Sequence, residues 1–132
     1  MLLKDLAEQR IHLDITPGDR VCYYTTAGWM MWNWLVMALG TGATVVLADG
    51  QPMYPEPDRL LRLVADEKLT FLGVSAKYIE SLRQHSVSMS PHELASLRTM
   101  ASTGSPLAPE LFDYVYEHVC SSVHLALSLI HI

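Results

Sequence analysis

Ala43-Thr44-Val45-Val46-Leu47-Ala48 is a short apolar run that stops at Asp49-Gly50. A strand with water on one face alternates apolar and polar residues, whereas a strand covered on both faces by helices reads as a continuous apolar run. The run therefore predicts a strand of a parallel sheet, buried on both sides. Its flanks agree. Upstream, Trp29 to Leu39 is apolar apart from Asn33 and begins right after Gly28, so it reads as a buried helix ending around Gly40-Thr41-Gly42. Downstream, a loop from Gln51 to Pro57 holds three prolines, and Pro57-Asp58 suits the first turn of a helix with Leu60, Leu61, Val64 and Ala65 on its apolar side.

The same alternation of strand and helix continues outward. Leu2, Leu3, Leu6 and Ala7 follow helical spacing, Thr16-Pro17-Gly18-Asp19 is a turn, and Arg20 to Thr26 is rich in β-branched and aromatic residues. Thr70-Phe71-Leu72-Gly73-Val74 is a third strand, followed by a helix from Ala76 to Gln84 with Tyr78, Ile79 and Leu82 inward. Ser90-Pro91-His92-Glu93 combines a capping serine, a proline at the first helical position and a glutamate three residues on, which predicts a short helix. Leu97 to Ala101 is a fourth strand. A loop Ser102-Thr103-Gly104-Ser105-Pro106 leads to a helix from Pro109 with Phe112, Val115, Tyr116 and Val119 on its apolar side, and Ser122 to Leu127 closes the set. The fold class is α/β: a mainly parallel sheet flanked by helices, with the loops at the carboxyl ends of the strands as the ligand edge.

Composition excludes several functions. A net charge of -5 with nine scattered Lys and Arg provides no basic stripe for nucleic acid. The longest apolar stretch is about half of the roughly 20 residues needed to cross a bilayer, so no membrane span is expected. The opening residues carry Lys4, Asp5 and Glu8 among apolar positions, which suits an amphipathic helix rather than a secretory signal, and Met1 is expected to mark only where a fragment begins. Cys22 and Cys120 are isolated, without disulfide or zinc spacing, and fit a reducing cytoplasm. The six histidines show no metal-ligand spacing. There is no nucleophile elbow, no Gly-x-x-x-x-Gly-Lys-Ser/Thr loop and no paired catalytic carboxylates, so no self-contained catalytic motif is present.

Two loops fall on the predicted ligand edge. The Ser102 to Pro106 loop places a glycine among small residues, which allows close approach of backbone to a flat ring; an ordinary strand-to-helix turn would look the same. Trp29-Met30-Met31-Trp32-Asn33-Trp34 gathers three indoles and two thioethers at one helix start, which suits core packing. Core packing is the favoured reading, and the helix start after Gly28 also suits a carboxylate or its activated ester held near free N–H groups.

Thr16 to Arg20, Thr25 to Trp34, Thr41 to Thr44, Asp49-Gly50, Tyr54-Pro55, Leu72 to Ile79, Leu97-Arg98, Ser102 to Leu107, Phe112 to Tyr116 and His124 to Ala126 together resemble the acetoacetyl-CoA synthetase family of adenylate-forming acyl-CoA ligases. The resemblance implies that residues 1–126 are part of the large N-terminal adenylation domain of such an enzyme, an internal fragment of a longer chain. Members use ATP and Mg2+ to turn an acid, here acetoacetate, into an acyl adenylate, and CoA then displaces AMP. By position, Gly28, Trp29, Met30, Met31 and Thr103 are implied in substrate binding, Gly104, Ser105 and Pro106 in adenine contact, and Ser75 and Ala76 in CoA contact. The expected partners are thus acetoacetate, ATP and CoA, together with the missing remainder of the parent chain.

The departures from the family pattern define what the chain lacks. No phosphate loop, acidic magnesium motif, ribose-binding Asp, hinge or catalytic lysine is present, and residues 127–132, Leu127-Ser128-Leu129-Ile130-His131-Ile132, read as a divergent, non-native tail. Without a cation or lysine to offset charge at the α-phosphate, the fragment is expected to be inactive and to contain no catalytic residue. It is also expected to be poorly soluble, since strands that pair with missing parts leave edges and apolar faces exposed. Two other readings compete: a non-catalytic nucleotide-binding or interaction module, and a ligase for another short acid such as acetate. A dinucleotide-binding domain is disfavoured because no Gly-x-Gly-x-x-Gly follows a strand.

Overall fold

The structure, a computed structural model, describes residues 2–127. Among these, β1 (Arg20–Tyr23), β2 (Thr44–Val46), β3 (Phe71–Ser75), β4 (Thr99–Thr103) and β5 (His124–Leu127) pair in parallel in the order β2-β1-β3-β4-β5. The helices are α1 (Leu2–Ala7), α2 (Met30–Met37), α3 (Arg59–Glu67), α4 (Ala76–Gln84) and α5 (Pro109–Tyr114); α1 and α5 continue as π-helical stretches through Glu8–His12 and Val115–Val119. The chain runs from β1 outward to β2 and returns to the other side of β1 with β3. That reversal leaves a crevice at the carboxyl ends of β1 and β3, the place where open parallel sheets bind ligands.

Side chains alternate between the two faces of the sheet, as the two-residue period of a strand requires. Cys22, Leu72, Val74, Met100 and Leu125 join the larger core under α3, α4 and α5. Val21, Tyr23, Phe71 and Ala101 join a smaller one with Trp34, Leu35 and Ala38, on the side of α2. On the larger side the helices present the predicted residues: Leu60, Leu61 and Val64 from α3, and Tyr78, Ile79 and Leu82 from α4, are all buried. The helix α4 begins at Ala76 as expected, and the Ser75 hydroxyl caps it by accepting a bond from the Tyr78 N–H at 3.1 Å.

Four local expectations are corrected. The Ala43 to Ala48 run is an edge strand rather than one buried on both faces: β2 pairs only with β1 among the described residues, Val45 and Val46 are half-buried and Leu47 is 61% exposed. An apolar run reports residue type, and a position at the end of the strand order removes one neighbour from every residue in it. The helix predicted to be buried, α2, is covered along one side only. Trp34, Leu35 and Ala38 meet the sheet, while Met30, Val36 and Leu39 are exposed.

The helix expected from Ser90 does not form. Ser90 N–H donates to the Glu93 carboxylate at 2.8 Å, half of a capping box, yet residues 91–96 are turns. Leu94 and Leu97 are buried and pin the segment just ahead of β4, too short a stretch to offset helix nucleation. In α5 and its extension, Tyr116 is exposed, and Leu111 and Tyr114 take the inward positions with Val115 and Val119. The proposed tail begins inside β5, where Leu127 pairs with Ser102. Its residues 128–132 lie outside the described residues.

One polar tie fixes the amino ends of the strands. Asp19, buried just before β1, receives both guanidinium nitrogens of Arg98, just before β4, at 3.1 Å each, and the Thr16 N–H at 2.7 Å. Burial alone would raise the Asp19 pKa, but the Thr16 N–H and Arg98 outweigh it and hold the carboxyl below its ordinary 3.8. A lowered aspartate contributes stability above its unfolded value and loses it as the pH falls through the folded one. Asp19→Asn should therefore cost about 2 kcal/mol at pH 7. Its deficit against the parent should shrink below about pH 4, both read from urea midpoints of dilute protein by tryptophan fluorescence. An equal deficit at every pH would show that shape, not charge, matters at this position.

The exposed apolar residues Trp29, Met30, Val36 and Leu39 lie on or beside α2, and Leu47 lies beyond the β2 edge. Sedimentation velocity should accordingly show the chain associating as its concentration rises. A monomer at every concentration with a sharp cooperative melt would contradict this.

Candidate substrate cavity at the carboxyl edge of the sheet

At the carboxyl ends of the strands a second polar tie crosses the sheet. Tyr23 ends β1, Thr103 ends β4, and β3 lies between them, yet the Tyr23 hydroxyl reaches the Thr103 hydroxyl at 2.6 Å. It does so because β3 has Gly73 at the crossing: a Cβ built there would sit 2.0 Å from the Tyr23 ring. Glycine inside a strand weakens the strand, and close approach of another group is the usual reason it is there. The ring also packs edge-on against Trp34 of α2 with centroids 5.9 Å apart. Both hydroxyl residues are buried, Tyr23 5% and Thr103 8% exposed. Burial raises the Tyr23 pKa and the bond to Thr103 offsets this only in part, so the phenol stays protonated at neutral pH.

Tyr23 and Thr103 stand in the wall of a cavity of about 1060 Å³ bounded by α1, α2 and the β1, β3, β4 and β5 face of the sheet. Met30 and Met31 from the start of α2 are in the same wall. Three of the five residues implied in substrate binding, Met30, Met31 and Thr103, therefore come together. Gly28 and Trp29 do not line it. Gly28 lies in the exposed turn ahead of α2, and Trp29 caps the helix with its indole 71% exposed. The two loops nevertheless flank one cavity, since each contributes the residue next to its marker: Met30 follows Trp29, and Thr103 precedes Gly104.

A second, smaller groove of about 310 Å³ runs between α4 and the segment that follows β4. Ser105 and Pro106, implied in adenine contact, line it together with Ala76, implied in CoA contact. Gly104 forms the corner before it, with φ +93 and no atom within 4 Å of a built Cβ. Only glycine takes that backbone without strain, and its open side leaves the main chain approachable by a flat ring. Ser75 does not line the groove, because its side chain is engaged in capping α4.

Among the described residues no group of His, Cys, Asp or Glu is arranged to hold a metal ion, and no helix is long and apolar enough to cross a membrane. Both cysteines are free and buried, and burial pushes the Cys22 thiol up to about 11, which makes it a core residue rather than a nucleophile. Nothing in the sequence marks Tyr23 as a site residue except Gly73, whose place in mid-strand signals a close crossing without saying what crosses.

A parallel sheet with a strand-order reversal, a cavity over one face that reaches its carboxyl ends and a bare glycine corner after β4 are features of a nucleotide-type α/β unit. The chain belongs to the AMP-binding enzyme family, whose model it matches over residues 2–126. It is 47% identical over 126 residues to the acetoacetyl-coenzyme A synthetase of Rhizobium meliloti (strain 1021), covering 95% of this chain and 19% of that protein. It is 40% identical over 139 residues to malonamoyl-CoA synthetase vrtB of Penicillium aethiopicum, covering 94% of this chain and 19% of that one. The structure of the acetoacetyl-CoA synthetase from Streptomyces lividans superposes with a TM-score of 0.84 at 36% identity, covering 96% of this chain and 20% of that one. The chain thus spans about a fifth of the length of the curated relatives it matches.

Gly73→Ala tests the crossing. The new methyl has no room unless the Tyr23 ring moves, so the substitution should cost about 2 to 3 kcal/mol. Adding Tyr23→Ala should recover part of that loss when resistance to proteolysis is compared across the single and double variants. A Gly73→Ala chain as resistant as the parent would show that the ring is not held there.

Proposed function

We propose that this chain is a segment of the N-terminal adenylation domain of a ligase that activates acetoacetate with ATP to acetoacetyl-AMP and transfers the acyl group to CoA. The observation that carries the reading is the cavity wall formed jointly by Met30, Met31 and Thr103, in a chain so similar to acetoacetyl-CoA synthetases over nearly its whole length. The Met30, Met31, Trp34, Phe71 and Ala101 stretch of the wall suits the apolar part of a short acyl chain, while Lys4, Asp5, Glu8, His12 and His124 line the rest of the cavity. The malonamoyl relative supports a slightly wider class, because acetoacetyl and malonamoyl groups both carry a carbonyl oxygen on the third carbon.

In this reading Gly28 and Trp29 close the acyl end of the cavity once the rest of the ligase covers α2. Gly104, Ser105 and Pro106 receive the adenine, and Ser75 and Ala76 lie beside the CoA path. ATP and CoA are co-substrates of the longer enzyme. Magnesium would neutralise phosphate charge there, and among the described residues no cluster of His, Cys, Asp or Glu is arranged to hold it. The segment supplies a binding wall without the phosphate loop, magnesium motif or catalytic lysine that the family resemblance calls for, so alone it should not turn over. The cytoplasm suits its two unpaired thiols.

Pyrophosphate release by the full-length ligase that contains residues 2–126 tests the assignment, with acetoacetate, malonamate and acetate compared. Acetoacetate should exceed acetate by at least about tenfold in kcat/KM, and the 132-residue chain alone should stay at background. Equal rates with acetoacetate and acetate would remove the substrate assignment. Turnover by the isolated chain would remove the claim that it lacks the catalytic groups.

A further inference from the structure

The hydroxyls of Tyr23 and Thr103 carry one hydrogen each, and the single bond between them, in whichever direction it runs, uses one. One hydroxyl hydrogen is therefore left over. Among the described residues neither oxygen makes any other hydrogen bond, and both side chains are more than nine-tenths buried. A buried donor without a partner is costly, and the arrangement is explained if a ligand completes it. The cavity is where such a ligand would come from, because both residues stand in its wall. Met30, Met31, Trp34, Phe71 and Ala101 give the wall an apolar stretch in which the pair is the polar point, while Lys4, Asp5, Glu8, His12 and His124 line other parts of the cavity.

We infer that the Tyr23–Thr103 hydroxyl pair is a specificity device that donates its spare hydrogen to the carbonyl oxygen on the third carbon of the acid, and so selects β-carbonyl acids over plain short-chain acids. The inference rests on the ligase reading and deepens it. An acid with CH2 at that carbon leaves the buried donor unsatisfied, and sites built to bond a polar group discriminate most strongly against analogues that lack it. Pairing two hydroxyls also restrains whichever of them carries the spare hydrogen. A lone hydroxyl turns about its C–O bond, whereas here the bond between Tyr23 and Thr103 and the packing of the ring over Gly73 restrict the pair. Tyr23 is a specificity residue in this scheme, and Gly73 positions it by being absent where a side chain would stand.

Butyrate has the same carbon skeleton as acetoacetate without the carbonyl, so the two acids isolate the contact. In the full-length ligase containing this segment, kcat/KM for pyrophosphate release would be measured with both acids for the parent, Tyr23→Phe, Thr103→Val and Thr103→Ser. Tyr23→Phe and Thr103→Val should each lower the acetoacetate-to-butyrate ratio by about tenfold, whereas Thr103→Ser, which keeps the hydroxyl, should hold the ratio within about twofold of the parent. A parent without acetoacetate-dependent pyrophosphate release sinks the ligase reading and this inference with it. A working parent whose ratio survives both substitutions, or whose two acids fall in step, overturns the hydroxyl assignment alone and leaves the ligase reading standing.

Discussion

Gly73 is the constraint on which the site depends. A β-sheet ordinarily isolates strands that are two apart, because the side chains of the strand between them fill the space above it. Removing one Cβ from β3 opens a path wide enough for an aromatic ring, and the Tyr23 ring takes it, linking β1 to β4 at their carboxyl ends. The cavity wall follows from this. With a side chain at position 73 the phenol would be displaced toward α2, where Trp34 already packs, and both the apolar cluster and the hydroxyl pair would have to rearrange.

The two ties between β1 and β4 act at opposite ends of the same three strands. Asp19 with Arg98 holds the amino ends through charge, and Tyr23 with Thr103 holds the carboxyl ends through neutral hydroxyls. The division suits the chemistry on each side. A full charge pair at the carboxyl edge would impose a strong local field on an anionic acid, while a hydroxyl pair can bond a carbonyl without doing so. The charged tie is placed where no ligand is expected.

Much of the fold was legible because local chemistry and tertiary position agree. Ser75 is both the last residue of a strand and a good helix cap, and the Tyr78, Ile79, Leu82 spacing fits one buried face, so α4 is found where the sequence places it. The misreadings share one cause, which is that burial depends on neighbours distant in sequence. The Val45-Val46 run looks the same at the edge of a sheet as at its centre, and the capping signature at Ser90 is real in its hydrogen bond yet stops short of a helix. Likewise, the apolar face of α2 cannot say which of its sides meets the sheet. For the candidate site, motif position singled out Thr103, Met30 and Met31, which line one cavity, whereas the Tyr23 contact spans 80 residues and the Arg98 contact 79, beyond any periodicity.

The strand β3 passes into α4 with no intervening residue: Ser75 closes one and caps the other. Such a corner has no slack, because its backbone angles are shared between a hydrogen-bonded ladder and a helical turn. The α4 side of the smaller groove is therefore an anvil. Across the groove the chain turns at Gly104, where φ is +93 and a Cβ would meet open space, so one wall is a shared corner and the other a bare bend.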